Sequence, residues 1–163
     1  MEIRDLYDKN RQVTGKTFVK GSQVPKGYYY LIVIIVIENS KGEFLIQKRV
    51  ANKGGKWALT GGHPKAGETS LEGIISEVKE ELGIDINNKK LLLFEQTTHH
   101  DQLFDLYYLK DNINLNSIKV QVEEVDGVAW KRLEEIDKMH KNGEFHRGHY
   151  QVIQHYLEYR GRK

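Results

Sequence analysis

Apolar residues change their spacing several times along this chain, and each change marks an element. YYYLIVIIVI, from Tyr28 to Ile37, is dense in β-branched and aromatic residues without alternation. That suits a central strand covered on both faces better than a helix. After the turn Asn39-Ser40-Lys41-Gly42, EFLIQKR alternates and is expected to pair back as a hairpin. Upstream, Glu2 to Tyr7 and Val13 to Lys20 flank the polar turn Asp8-Lys9-Asn10 and predict an N-terminal hairpin. Trp57 to Leu59 reads as a short strand before a glycine-rich loop, and Lys90 to Glu95, Leu103 to Lys110 and Val125 to Lys131 as further strands. Leu133 to Lys141 has helical spacing, and Tyr150 to Tyr159 puts Val152, Ile153, Tyr156 and Leu157 on one face of a last helix. Strands with three helices among them predict an α/β fold, a sheet covered on both sides. No repeat or linker divides the chain, so residues 1–163 read as one domain.

The remaining helix lies in GGHPKAGETSLEGIISEVKEELGI, Gly61 to Ile84. Thr69-Ser70-Leu71-Glu72 fits a capping box, which places the start at Thr69. At about 100° per residue, Leu71, Ile74, Ile75, Val78 and Leu82 form one stripe, and Glu77, Glu80 and Glu81 form the stripe beside it. Most helical glutamates are solvated, but this placement is unfavourable. Like charges at Glu77 and Glu81 cost roughly 0.2–0.5 kcal/mol, and the C-terminal end of the helix dipole disfavours them further. A divalent cation reverses the argument, because hard oxygen ligands on one turn converge on Mg²⁺ or Mn²⁺. Gly61 and Gly62 permit a close backbone approach, so a carbonyl could face the same ion.

Composition narrows the classes. A charged fraction of 29% with a net charge of +2 fits neither a disordered acidic tail nor a strongly basic nucleic-acid binder. The absence of cysteine removes disulfides, Cys-ligated zinc and thiol nucleophiles, in keeping with a cytoplasmic location. MEIRDLYDKN lacks the apolar segment of a signal peptide, and Tyr28 to Ile37 is far shorter than the roughly 20 residues of a membrane span. A soluble protein with no membrane partner is expected.

The order Gly, five residues, Glu, seven residues, any residue, Glu-Val-Lys-Glu-Glu-Leu-Gly-Ile resembles the Nudix box. Gly62, Glu68, Glu77, Val78, Glu80, Glu81, Gly83 and Ile84 all match. NSKGEFLIQKR ahead of the box and QVEEVDGVAWKRLEEI behind it are similar to the corresponding Nudix segments. The resemblance implies the Nudix α/β/α sandwich, with a mixed β-sheet, and Mg²⁺-dependent hydrolysis of a diphosphate linked to another moiety, commonly part of a nucleotide. Carried over residue by residue, Glu77 and Glu81 would ligate metal. Glu80 would ligate a second ion or help accept the proton of water, and Gly61 would lend its carbonyl. Glu68 would orient the loop or the acidic turn, or serve as a plain salt-bridge or dipole partner. A homodimer would also be in keeping with the family.

One box position departs. Where the family has Arg before the first glutamate of the acidic turn, this chain has Ser76, which offers neither a bidentate fork nor positive charge. Lys79 lies about 160° from Glu81 around the helix, so a substitute cation must come from another segment. Reduced or unusual activity is expected, and a Nudix-fold module that binds a nucleotide without cleaving it is the rival reading. EIRDLYDKNRQVTGKTFVKG and GGHP are also similar to isopentenyl-diphosphate isomerase and its Nudix relatives, which have Cys-Gly-His-Pro. Here Gly61 stands in the cysteine's place, and only His63 of that site's histidines can be placed, so an isomerase is a minor alternative.

Other residues divide between chemistry and scaffold. Arg49, at the end of EFLIQKR, is the best candidate to grip a substrate phosphate, since guanidinium matches phosphate oxygens bidentately; Lys48, Lys53, Lys56 and Lys65 read as solubilising charge. Glu123 and Glu124 are either an assisting carboxylate or solvated loop. His99-His100-Asp101 reads as a turn, and the His146 and His149 pair as structural for want of a third ligand. Tyr28, Tyr29, Trp57 and Trp130 could stack on a base, with core packing expected for at least half of them.

Overall fold

A computed structural model describes residues 1–162. Its centre is β3 (Tyr30–Glu38), with β8 (Gln102–Lys110) parallel along its whole length from Tyr30↔Gln102 to Glu38↔Lys110. β7 (Leu92–His99) continues the sheet antiparallel to β8. On its other side β3 takes β6 (Thr60–Gly62), in the register Val33↔Gly62, Ile34↔Gly61 and Ile35↔Thr60. β4 (Phe44–Arg49) meets β3 only at Glu38↔Phe44 and then pairs with β9 (Val125–Lys131) and β5 (Trp57–Ala58). The expected β3–β4 hairpin therefore forms at its turn and opens beyond it, because β6 holds the place beside β3. Gly61 makes that possible, since a Cβ there would lie 2.5 Å from the Val33 carbonyl oxygen.

The unbroken apolar run is explained by two cores. Val33, Ile35 and Ile37 face α1 (Ser70–Leu82), where they meet Ile74, Val78 and Leu82. Ile34 and Val36 face the opposite layer, α2 (Leu133–Lys141) and α3 (Arg147–Gly161), through Ile136, Val152, Ile153 and Tyr156. Each such side chain contributes about 1.5–3 kcal/mol on burial, so a polar residue at Val33 or Ile34 would weaken one layer interface. This is an α/β/α sandwich on a mixed sheet. Among the described residues no helix is long and apolar enough to cross a membrane.

Local chemistry sets the helix ends. Thr69 caps α1 by accepting from Glu72 N at 3.1 Å, while the Glu72 carboxylate accepts from Thr69 N at 2.9 Å. Gly83 ends the helix in the left-handed region at φ 67°. α3 begins three residues before the expected Tyr150 because His146 Nδ1 accepts from His149 N at 3.1 Å, a cap outside the usual Ser, Thr, Asp and Asn set. The expected strand at Lys90 to Glu95 lies instead at Leu92–His99, shifted by its pairing with β8 through Gln96, Thr97 and Thr98.

β1 (Ile3–Tyr7) and β2 (Val13–Val19) form a separate two-stranded sheet, as the sequence predicts. The hairpin is tied to the rest at three places. Tyr7 and Tyr29 exchange backbone bonds of 2.8 and 2.9 Å. Arg11 Nη2 donates to Phe104 O at 2.6 Å and to the buried Asp105 carboxylate at 2.8 Å. Ala66 N donates to Ile3 O at 2.8 Å and Gly67 N to Asp5 Oδ2 at 2.9 Å, which fixes the loop ahead of α1.

Candidate active site

β6 and the last two turns of α1 meet along the glycine pair. A Cβ on Gly62 would fall on the Glu77 carboxylate, so the helix side chain lies directly against the strand backbone. Glu77 and Glu81 lie close enough to act on one another's titration. Burial foremost, then the neighbouring Glu81 and Glu80, pushes Glu77 up to about 9. Burial raises Glu81 as well, partly offset by hydrogen bonds and by the Arg49 charge. Gln47 Nε2 donates to Glu81 Oε1 at 2.9 Å, and its own carbonyl accepts from Thr60 Oγ1 at 3.1 Å. Gln47 is only 5% exposed, and its place as a polar residue in the apolar stretch FLIQ was the signal that could have marked it.

The other two box glutamates are held from the loop. Glu68 accepts from Lys65 N at 2.7 Å through one oxygen and from Ser76 Oγ at 2.6 Å through the other. Lys65 Nζ reaches Glu80 Oε1 at 2.5 Å. Burial pulls the Lys65 ammonium down, but Glu80, Glu77 and Glu68 outweigh it and leave its pKa raised. Lys65 is thus a partner of the acidic turn and not simply solubilising charge. Arg49 lies close enough to act electrostatically on Glu81, His146 and His149, and Glu124 acts on Glu81 while pairing with Lys53 at 3.4 Å.

Beyond Gly62 the strand leads into a cleft of about 770 Å³ between the sheet and α3, with Ile32, Ile34, Phe104, Leu106 and Val152 among its lining residues and Thr97, Gln102 and Gln151 as polar groups. Five histidines, His63, His99, His146, His149 and His155, also line it. His63 stacks on Tyr30, with centroids 5.6 Å apart, and burial holds its pKa down to about 4. His149 Nδ1 accepts from Leu59 N at 3.1 Å, and burial takes its pKa to about 3. Both His146 and His149 thus serve the backbone, in line with the structural reading of their spacing. The histidine clustering was invisible in sequence because three chain segments supply it, the glycine loop, β7 and α3 with its cap.

The remaining candidates divide similarly. His99 ends β7, and His100 with Asp101 forms the turn, His100 at φ 55°. Trp57 packs against the α2/α3 core, Tyr29 and Trp130 against the α1 core, and Trp130 Nε1 donates to Ile113 O at 3.1 Å. Tyr28 lies under Lys16 Nζ, 5.4 Å from its ring centroid.

A family model described as the NUDIX domain matches residues 29–156, taking in β3, the glycine strand, the acidic turn and most of α3. The chain belongs to the Nudix family. It is 36% identical over 152 residues to an uncharacterized Nudix hydrolase of Listeria innocua, covering 89% of this chain and 88% of the relative. It is 31% identical over 124 residues to the nucleoside triphosphatase NudI of an Enterobacter species, covering 68% and 87%. In fold it resembles the crystal structure of DR0079 from Deinococcus radiodurans, with a TM-score of 0.75 at 20% identity and coverage of 94% and 98%. The chain is a Nudix hydrolase, of a family that generally uses divalent metal ions.

The residues of this Nudix site fit such an ion. Two half-buried carboxylates lie on one helical turn and Glu81 raises the pKa of Glu77, so a cation between them would relieve their repulsion. Among the described residues, no group of three or more His, Asp or Glu side chains is gathered to hold a metal alone. Further ligands would therefore come from backbone, water or substrate oxygens, the usual pattern for Mg²⁺.

Proposed function

We propose that this protein hydrolyses a diphosphate linkage in a nucleoside diphosphate derivative or a similar small diphosphate, with Mg²⁺ or Mn²⁺ as cofactor, acting as one domain in the cytoplasm. The observation that carries the reading is the Glu77–Glu81 pair pressed against Gly62. Glu77 and Glu81, with the Gly61 carbonyl, would hold the ion. When bound, it would neutralise diphosphate charge and lower the pKa of an attacking water.

The protein's own groups position the rest. Glu80 would hold a second ion or take the proton of the water through Oε2, the oxygen that Lys65 leaves free. Glu68 keeps the loop and α1 in register. Arg49, whose charge acts on Glu81, binds a phosphate oxygen. The substrate's uncharged end enters the cleft, where the neutral imidazoles of His63 and His149 and apolar side chains suit a planar base better than a second phosphate. The NudI likeness supports a nucleotide substrate.

The test is product release from nucleoside di- and triphosphates, nucleotide sugars, dinucleoside polyphosphates and isoprenoid diphosphates, with and without Mg²⁺, for wild type and Glu77→Gln. Metal-dependent turnover abolished by Glu77→Gln is expected. Tight metal-dependent nucleotide binding without products would instead establish the binding module, and 1,3-allylic rearrangement of an isoprenoid diphosphate the isomerase.

A further inference from the structure

We infer that Lys65 is a positioning residue, which fixes Glu68 through its backbone amide and Glu80 through its ammonium, while Ser76 closes the second oxygen of Glu68. Three observations carry this. The two Glu68 oxygens each receive one donor, Lys65 N at 2.7 Å and Ser76 Oγ at 2.6 Å, so both sides of the carboxylate are engaged. The same lysine sends its side chain to Glu80, 2.5 Å away and on the facing helix. The loop that carries it is itself tied to the hairpin at Ala66 and Gly67.

The two hydrogen bonds and one positive charge that a guanidinium at position 76 would bring to the acidic cluster are thus divided between two residues. The hydrogen bonds go to Glu68 and the charge to Glu80. The Lys65 and Glu80 side chains are 40% and 42% exposed, and an ion pair that open adds little to stability. Its effect is on where Glu80 points.

A double-mutant cycle over Lys65→Met and Ser76→Arg tests this, read both on turnover and on the Mn²⁺ dissociation constant measured by EPR without substrate. Lys65→Met should lower kcat by about 10–100-fold, the range for residues that orient metal ligands, with KM within about threefold. Lys65→Arg should stay close to wild type. Ser76→Arg should restore most of the loss in Lys65→Met. A raised KM at unchanged kcat would overturn the inference, because Lys65 would then be gripping substrate. So would single effects that simply multiply in the double variant.

The inference rests on the hydrolase reading only for the kcat arm. If no diphosphate is turned over, the Mn²⁺ cycle still decides: coupling between the two positions supports it and independence overturns it. Should Ser76→Arg fail to fold, Mn²⁺ affinity matching wild type in Lys65→Arg but shifted in Lys65→Met supports it, and equal shifts overturn it.

Discussion

On one side of Gly61-Gly62-His63 two carboxylates are half-buried beside each other, and on the other side imidazoles are half-buried against backbone and rings. Both groups have lost water, yet the fold treats them oppositely. His149 is neutral and has a partner in Leu59 N–H; His63 is neutral and stacked on Tyr30. Glu77 and Glu81 have chiefly each other, like beside like, and their pKa values rise for it. The imidazole side is complete as it folds. The acidic side becomes favourable only when positive charge arrives, which separates a lining from a binding site more sharply than burial alone.

The largest effect should come from Glu77→Gln. Loss of a direct metal ligand should reduce turnover on the order of 10²-fold or more, beyond what outer-shell changes cost. The same variant without metal should melt higher than wild type at pH 8, since the amide, unlike Glu77, takes up no proton on folding. A scan of activity and Tm together checks both signs.

The two sides should also respond oppositely to pH. Glu77 is raised from 4.5 to about 9, so the native state holds more protons than the unfolded chain between those values. Metal-free stability from this group is full below 4.5 and falls as pH rises through the window. His149 and His63 are lowered from 6.5 to about 3 and about 4; here the unfolded chain holds more protons, and stability falls as pH drops below 6.5. Denaturant melts from pH 4 to 9 should therefore peak between the two limbs. Mg²⁺ at 100 times its Kd should add about 2.7 kcal/mol and should lift the alkaline limb alone.

His149→Ala should strand the Leu59 N–H and cost about 1–3 kcal/mol, while Mn²⁺ affinity stays unchanged. Weakened Mn²⁺ binding would break the separation between the two sides. Smallest of all, Asp5→Ala removes one exposed bond to Gly67 and should cost no more than about 0.5–1.5 kcal/mol, seen as a slight drop in Tm.

What the sequence disclosed and what it hid divide by range. The acidic turn, its cap and its glycine stop lie within one helix, where a 3.6-residue period and local hydrogen bonds decide the outcome. β3 was legible because burial on both faces removes alternation. β4 was misjudged in part: its composition specifies a strand, but β6 competes for its partner, and that competition depends on two glycines about fifteen residues further on. Lys65 looks like solubilising charge in the sequence because a charge near a loop gives no sign of which helix it will meet. The histidine-lined cleft needed β7, β8, α3 and the glycine loop to be assembled first.

The tie between hairpin and loop sets how this site breathes. The Ala66 and Gly67 amides are bonded to β1, outside the segment shared with the family at large. Their hydrogen exchange would be paced by lifting of the hairpin, a sub-global opening, whereas amides inside α1 wait for the core to part. The loop that presents Lys65 and Glu68 can thus loosen and reset without the helix that carries Glu77 and Glu81 ever unwinding.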